Sequence, residues 1–548
     1  MIIFLSAHSP RQTVFTTHTH MPVRISLSTM KLLFPLFSCL ILSVSGHTSS
    51  IAISTTSGQL HGIELNGVMS FKGVRFARAP TDQLRWEPPV PFVSAQPHTA
   101  TVLGPSCLQQ FAFATGAFTQ FLFNDPPPAS ENEDCLFLNV WAPSTNTKQK
   151  KPVLFWIYGG DFIAGTASYP IYDGSSLAAN QDIVVITSNY RTNVFGFPSA
   201  PDFPITQNNL GFLDQELALK WVQLNIARFG GDPDKVTIVG QSAGADSVGL
   251  AIVRDRVKTP FRAGVMLSGA PTSASPIPSF TSFDAFAAAV GCPQAPGPSR
   301  VGCLKLVPAA TIRNFTNGPL SGSFGPVVDN VTVFADPLER LRANATANIP
   351  IIIGNMENDG TAFTAGETNL TAFLAGRSPG MPISPVLVQS LYPGQNDSVV
   401  IADAFRDRGF RCPAELWSAA LTGAGVSSVF RYSYGAVFGD LQKFPGAGAW
   451  HSSEIGPLFG TFNRSTATPA EAAWSGTFQT AIANFIKDPT TSPALNWHEY
   501  VPGPPAATLA KLAYSGNVQW GNFVDPVPSS VIDGPCDALW DAFLDVTV

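Results

Sequence analysis

The sequence predicts an α/β protein: a large, mostly parallel central sheet with helices on both faces and inserted loops. Short runs rich in apolar, β-branched and aromatic residues recur at PVLFWIY (152–158), DIVVITS (182–188), KVTIV (235–239), AGVMLS (263–268), IPIIIG (349–354) and SSVFRYS (427–433). Strands so continuously apolar have both faces covered. Between the second and third lies LGFLDQELALKWVQLNIARF, where Leu213, Leu217, Leu219, Leu224 and Ile226 give a helical apolar pattern. Strands alternating with helices build sheets that are at least partly parallel. No internal repeat and no long polar or single-charge linker interrupts the 548 residues, so 47–548 reads as one catalytic-size domain behind an N-terminal extension, 1–46. The stretch from about 270 to 345 is richer in Pro, Gly and Ser and reads as inserted loops and short helices.

Charged residues make up only 13% of the chain, and the net charge of -6 is spread without basic runs. Neither nucleic acid nor an anionic membrane surface is indicated as a partner; a small molecule is. From Met30 the chain reads MKLLFPLFSCLILSVSG: a lysine, an apolar stretch from Leu32 to Val44, then small residues, the layout of a secretory signal with its core at 30–45 and cleavage near Ser45 or Gly46. Translation starts either at Met1, giving a long leading region, or at Met30. The apolar run is too short to span a bilayer, so no transmembrane segment is expected. Removing the signal removes Cys39 and leaves Cys107, Cys135, Cys292, Cys303, Cys412 and Cys536, an even number. Six N-x-S/T sequons follow, at Asn314, Asn330, Asn344, Asn369, Asn396 and Asn463. The expectation is a glycosylated extracellular protein.

The strongest chemical signal is FGGDPDKVTIVGQSAGADSVG, Phe229 to Gly249. It places G-x-S-x-G, Gly240 to Gly244, between a strand and a small-residue helix, the setting of a nucleophile elbow with Ser242 on the turn. A helix starting at the serine points the Ala243 N–H and a positive dipole end at developing negative charge. The serine needs a base, and after the signal only His47, His61, His98, His451 and His498 remain. Elbow enzymes run serine, acid, histidine along the chain, which leaves the last two. His498 sits among aromatic and turn residues; His451 lies in GAWHSSEIGPLFG, a loop of small residues, and is preferred. The acid belongs at a strand end between them, where IPIIIGNMENDGTAF offers Asp359 and Glu357; either could hold the imidazole. One further turn, WIYGGDF (156–162), has the glycines of an anion-binding corner but also an aspartate, Asp161.

From about Ile51 onward the chain resembles the type-B carboxylesterases, the α/β-hydrolase group that includes cholinesterases and large fungal lipases. The matching stretches are FKGVRFARAP, EDCLFLNVWAP (Glu133 to Pro143), SNYRTNVFGF, LGFLDQELALKWVQLNIARFGGDP and the elbow. The resemblance implies an α/β-hydrolase fold, Ser242 as nucleophile, Asp359 rather than Glu357 as acid and His451 as general base. It implies the disulfides Cys107–Cys135, Cys292–Cys303 and Cys412–Cys536, and it makes WIYGGDF the oxyanion turn, with N–H groups of Gly160, Asp161 and Ala243 as donors. Asp161 departs from the family's glycine or alanine there; its carboxylate is expected to turn away from the hole. Neither metal nor cofactor is implied. Residues 107–135 correspond to the family's lid or choline-binding region but lack tryptophan, with Phe123 the nearest aromatic, which argues against an acetylcholine specialist. Their phenylalanines suggest an apolar entrance, a possible contact with a lipid interface, and aryl, alkyl or acyl esters as substrates. Within that class a lipase or sterol esterase competes with a short-chain or hydroxycinnamoyl (feruloyl) esterase; a non-catalytic binding relative would be expected to lack one of the three residues.

Overall fold

In the computed structural model the described residues are 48–111, 115–124, 130–144, 149–254, 259–274, 277–377, 383–513 and 523–544. The chain divides into two units, Met1–Ser45 and Gly46–Val548. The first, which holds the expected signal, lies outside the described residues.

The sheet is assembled from β1 (Thr48–Thr55), β2 (Gly58–Leu65), β3 (Val68–Arg75), β4 (Pro97–Thr99), β5 (Phe137–Pro143), β6 (Lys151–Ile157) and β7 (Val184–Ser188), followed by β8 (Gly231–Gln241), β9 (Ala263–Leu267), β10 (Ile351–Met356), β11 (Val429–Tyr434), β12 (Leu509–Leu512) and β13 (Val524–Val527). Among the described residues these thirteen strands form one mixed sheet in the order β1-β2-β3-β5-β7-β6-β8-β9-β10-β11-β12-β13, with β4 against β2. From β7 through β12 every neighbouring pair is parallel, and the flanking pairs, β1 to β7 on one side and β12 with β13 on the other, are antiparallel. The fold is an α/β hydrolase.

Burial explains which strands were legible. All residues of β7, β9, β10 and β11 are buried, so helices cover both sheet faces there and each strand is an unbroken apolar run. β1 is mostly exposed and has no such run. The next two strands, β2 and β3, nonetheless carry a signal: Asn66 and Gly67 join them, both at positive φ (52° and 80°), the Asn-Gly hairpin turn that fits the sheet's twist.

The expected helix runs Leu210–Asn225, followed by a short 3-10 turn, Ile226–Phe229. Its buried face takes in Leu219 and Ile226, with Leu213 and Leu217 half-buried against the core, but is wider than the apolar pattern and leaves out Leu224. Phe212, Asp214, Ala218, Trp221, Val222 and Asn225 face inward, whereas Leu224 is 58% exposed. Asp214 sits on the inner face because the Arg191 guanidinium meets it there at 2.8 Å; a hydropathy pattern scores such a residue as outward.

Residues 270–345 carry the short helices Thr281–Ala289, Pro298–Leu306, Ala309–Thr316 and Pro337–Arg342. The first three pack with Trp86 and Phe195 into a second apolar cluster beside the main core. The three expected disulfides are present: Cys107–Cys135, Cys292–Cys303 and Cys412–Cys536, with Cα separations of 4.9, 5.8 and 5.3 Å. The stretches FKGVRFARAP and EDCLFLNVWAP are likewise tied by the ion pair Arg75–Asp134, and Arg85 adds a second hold on Glu133. Arg75 grips Asp134 through two contacts of 2.5 and 2.7 Å, and Arg85 grips Glu133 at 2.6 Å.

Candidate active site

The candidate residues come from the carboxyl ends of parallel strands β6, β8, β10 and β11, where open α/β sheets place their ligands. β8 ends at Gln241 and the helix Ala243–Arg254 begins two residues on. Ser242, between them, holds φ = 57°, a left-handed conformation that a side chain enters only at some energetic cost. Two glycines permit the corner. A Cβ on Gly240 would lie 2.1 Å from the Gly244 carbonyl oxygen, and one on Gly244 would lie 2.0 Å from that of Ile157. The Ser242 N–H donates to the Leu267 carbonyl on β9, and the serine's own carbonyl accepts from Ala245 and Asp246, starting the helix. Ala243 occupies the first helical position, whose N–H has no partner within the helix.

Asp359 follows β10 and is fully buried. Its Oδ1 meets His451 Nδ1 at 2.7 Å. Oδ2 accepts from the Ser268 hydroxyl at 3.0 Å and from the Met356 N–H at 2.7 Å. Three hydrogen bonds to one carboxylate fix its direction. Glu357, the other candidate acid, lies apart from this set: its carboxylate packs where a side chain on Gly435 would stand. His498 is exposed.

The His451 imidazole is 2% exposed and is walled by three phenylalanines, with ring centroids at 4.7 Å (Phe410), 4.9 Å (Phe363) and 6.2 Å (Phe123). Phe123 ends the helix Gly116–Phe123 in the loop between Cys107 and Cys135; residues 112–114 and 125–129 of that loop are outside the described residues. Among the described residues the partner of Nε2 is the Gln241 carboxamide at 3.1 Å, not the Ser242 hydroxyl. With the amide N–H donating to Nε2, the ring proton sits on Nδ1, facing Asp359. Gln241 was overlooked in the sequence because it fills a variable position of the elbow motif; its closeness to the serine was the available signal.

Three successive residues of the WIYGGDF turn have positive φ: Gly160 (111°), Asp161 (54°) and Phe162 (58°). The turn abuts the elbow, since a Cβ on Gly159 would meet both the Gln241 carbonyl oxygen and the Ser242 Cβ at 2.7 Å. Asp161 is exposed. Aspartate is one of the few side chains that tolerate this backbone region, which accounts for its presence where glycine would also fit. Its charge reaches Asp246, one turn into the helix after Ser242: burial first, then Asp161, pushes the Asp246 carboxyl up to about 7.

A second buried acid lies near Asp359, three residues after His451. Glu454 is fully buried, and among the described residues neither of its carboxylate oxygens has a hydrogen-bond partner. Burial, then the Asp359 charge, pushes it up to about 8, so at neutral pH it is protonated and adds no second negative charge beside Asp359. Its place three residues after His451 was the only sequence signal, and burial cannot be read from that spacing.

With this geometry in hand, comparison with known proteins is informative. The model of the carboxylesterase family matches residues 49–374. The chain is 31% identical over 462 residues to a chlorogenic acid esterase of Aspergillus niger, covering 81% of this chain and 84% of that protein. It is 28% identical over 512 residues to secreted lipase 5 of Gibberella zeae (strain ATCC MYA-4620 / CBS 123657 / FGSC 9075 / NRRL 31084 / PH-1), covering 86% and 92%. A solved PNB esterase superposes with a TM-score of 0.68 at 28% identity, covering 84% of this chain and 95% of its own.

Proposed function

The chain belongs to the carboxylesterase family and is a carboxylic ester hydrolase; on that premise we propose that it is a secreted serine esterase acting on apolar aryl or alkyl esters through an acyl-enzyme, with Ser242 as nucleophile, His451 as general base and Asp359 as the acid. The observation that carries the reading is the 2.7 Å bond from His451 Nδ1 to Asp359, set beside a serine held at φ = 57° on the elbow. When substrate enters, the imidazole exchanges the Gln241 amide for the Ser242 hydroxyl and removes its proton as Oγ attacks the carbonyl carbon. The oxyanion accepts from the N–H groups of Gly160, Asp161 and Ala243. Collapse expels the alcohol, which takes the proton back from His451, and a water molecule repeats the two steps on the acyl group.

The phenylalanines around His451 support apolar substrates. Export is supported by the three disulfides, by the relative named a secreted lipase, and by the exposure of all six sequon asparagines. A lipase reading has one observation of its own: Phe118 and Phe121 are 36% and 45% exposed on the helix Gly116–Phe123, suited to a lipid surface. Activity on emulsified against dissolved esters of one acid separates the two readings. The main test is labelling with a fluorophosphonate and mapping the adduct by mass spectrometry. Attachment at Ser242 is expected; attachment elsewhere, or none in an active preparation, rejects the assignment.

A further inference from the structure

A cavity of about 460 Å³ lies beside the elbow. Ser242 and His451 are not in its walls, but three wall residues adjoin the serine's surroundings. Phe162 belongs to the glycine turn. Ala270 follows Gly269, where a Cβ would come 2.4 Å from the Ser242 carbonyl oxygen. Asp246 lies in the first turn of the helix after Ser242, and its N–H donates to the Ser242 carbonyl at 3.0 Å.

The rest of the lining is mainly hydrocarbon, including Leu250, Val333, Phe334, Leu374 and Trp540, with Arg408 at an exposed position. Within this lining Asp246 is the acidic residue, beside the hydroxyl of Thr272 and the exposed Arg408. Asp246 is half-buried, and among the described residues no side-chain hydrogen bond or ion pair satisfies it; its electrostatic neighbours are Asp161 and, through the field it exerts, Tyr190. A carboxyl group facing an apolar cavity without a protein partner calls for one from water or ligand.

We propose that Asp246 is a specificity-determining residue, and that the cavity takes the acyl part of esters that are mostly hydrocarbon but carry a hydroxyl a few bonds from the carbonyl. This rests on the assignment of Ser242 as nucleophile. A hydroxyl suits the site better than an ammonium. It can donate to the carboxylate or accept from the protonated acid, so it satisfies Asp246 in either form. A cation would pair with only one form and would lose its hydration against hydrocarbon walls. An unsubstituted chain leaves the carboxyl unpaired, which lowers its binding.

The test compares kcat/KM for methyl hexanoate with methyl 2-, 3- and 6-hydroxyhexanoate in the wild type, Asp246→Ala, Asp246→Asn and Ser242→Ala, with thermal melts to verify folding. In the wild type at least one hydroxylated ester is expected to exceed methyl hexanoate by roughly tenfold or more, the size of a charge-assisted hydrogen bond. Asp246→Ala should bring that ratio to unity or below while gaining on methyl hexanoate, and Asp246→Asn, a neutral acceptor, should fall between. Wild-type ratios within about twofold of unity for every hydroxylated ester, with Ser242→Ala inactive, overturn this proposal alone, as does a preference that survives in Asp246→Ala. Full activity in Ser242→Ala overturns the serine assignment and this proposal with it.

Discussion

Asp161 illustrates how much a single backbone angle constrains. At φ = 54°, alanine would pay the steric cost that glycine avoids and aspartate partly offsets. Asp161→Ala is therefore expected to lower unfolding free energy by about 1 kcal/mol in a urea titration, while Asp161→Gly stays near the wild type. Both should keep kcat within a small factor, because the N–H remains; a large rate gain in Asp161→Gly would instead mean that the carboxylate opposes the oxyanion. Ser242→Ala, His451→Ala and Asp359→Asn should each lower kcat by several orders of magnitude, with Asp359→Asn the mildest. Glu454 gives a pH signature. It holds its proton in the fold up to about pH 8, against an ordinary value of 4.5, whereas in the unfolded chain it has already lost it. Between those values the unfolded state binds fewer protons, so this group's contribution to stability falls as pH rises. Glu454→Gln should remove that slope, and the difference between variant and wild type should grow across pH 5 to 8 by about 2 to 4 kcal/mol, seen in denaturant midpoints; a pH-independent difference would show Glu454 ionised in the fold.

At the scale of elements, the buried pair Arg191–Asp214 joins the loop after β7 to the helix Leu210–Asn225. Asp214 accepts from the Arg191 backbone N–H at 2.9 Å and from its side chain at 2.8 Å. Removing one partner leaves a buried charge, so Asp214→Ala should cost about 3 to 5 kcal/mol in equilibrium unfolding; a loss under about 1 kcal/mol would mean that water replaces the carboxylate. The same pair marks the limit of sequence reading. Six interior strands were legible because both of their faces are buried, and the elbow because glycine, serine and glycine recur at a fixed spacing between a strand and a helix. Nothing local marked Asp214 as buried, because its partner Arg191 lies on another element. Leu224 looked buried because leucines were counted before the helix face was known. Gln241, Asp246 and Glu454 were missed for a related reason: their roles depend on what lies across a cavity or beneath a ring, and no local pattern records that. Asp359 could be separated from Glu357 only through family resemblance, whereas its hydrogen bonds set it apart in space.

For the whole molecule, the disulfides and sequons make a joint expectation. Denatured, unreduced mature protein should contain no titratable thiol, and proteolysis should release Cys292 and Cys303 in one linked fragment; two or more free thiols would contradict the pairing. Loss of one bridge is expected to cost about 2 to 5 kcal/mol. Glycosidase treatment of secreted material should lower its mass, since every sequon asparagine is exposed.

The longest of these bridges joins Cys412 to Cys536 across 124 positions, and His451 lies inside the ring it closes. Ser242 and Asp359 lie ahead of it. Because a ribosome makes the chain from its amino end, the nucleophile exists long before the base that arms it, and the base exists before the ring around it can close. β12 and β13, at the far edge of the sheet, are made later than the histidine but earlier than Cys536. From Ser242 until His451 is added the chain therefore carries an unarmed serine, and over that interval it cannot cleave the esters it meets.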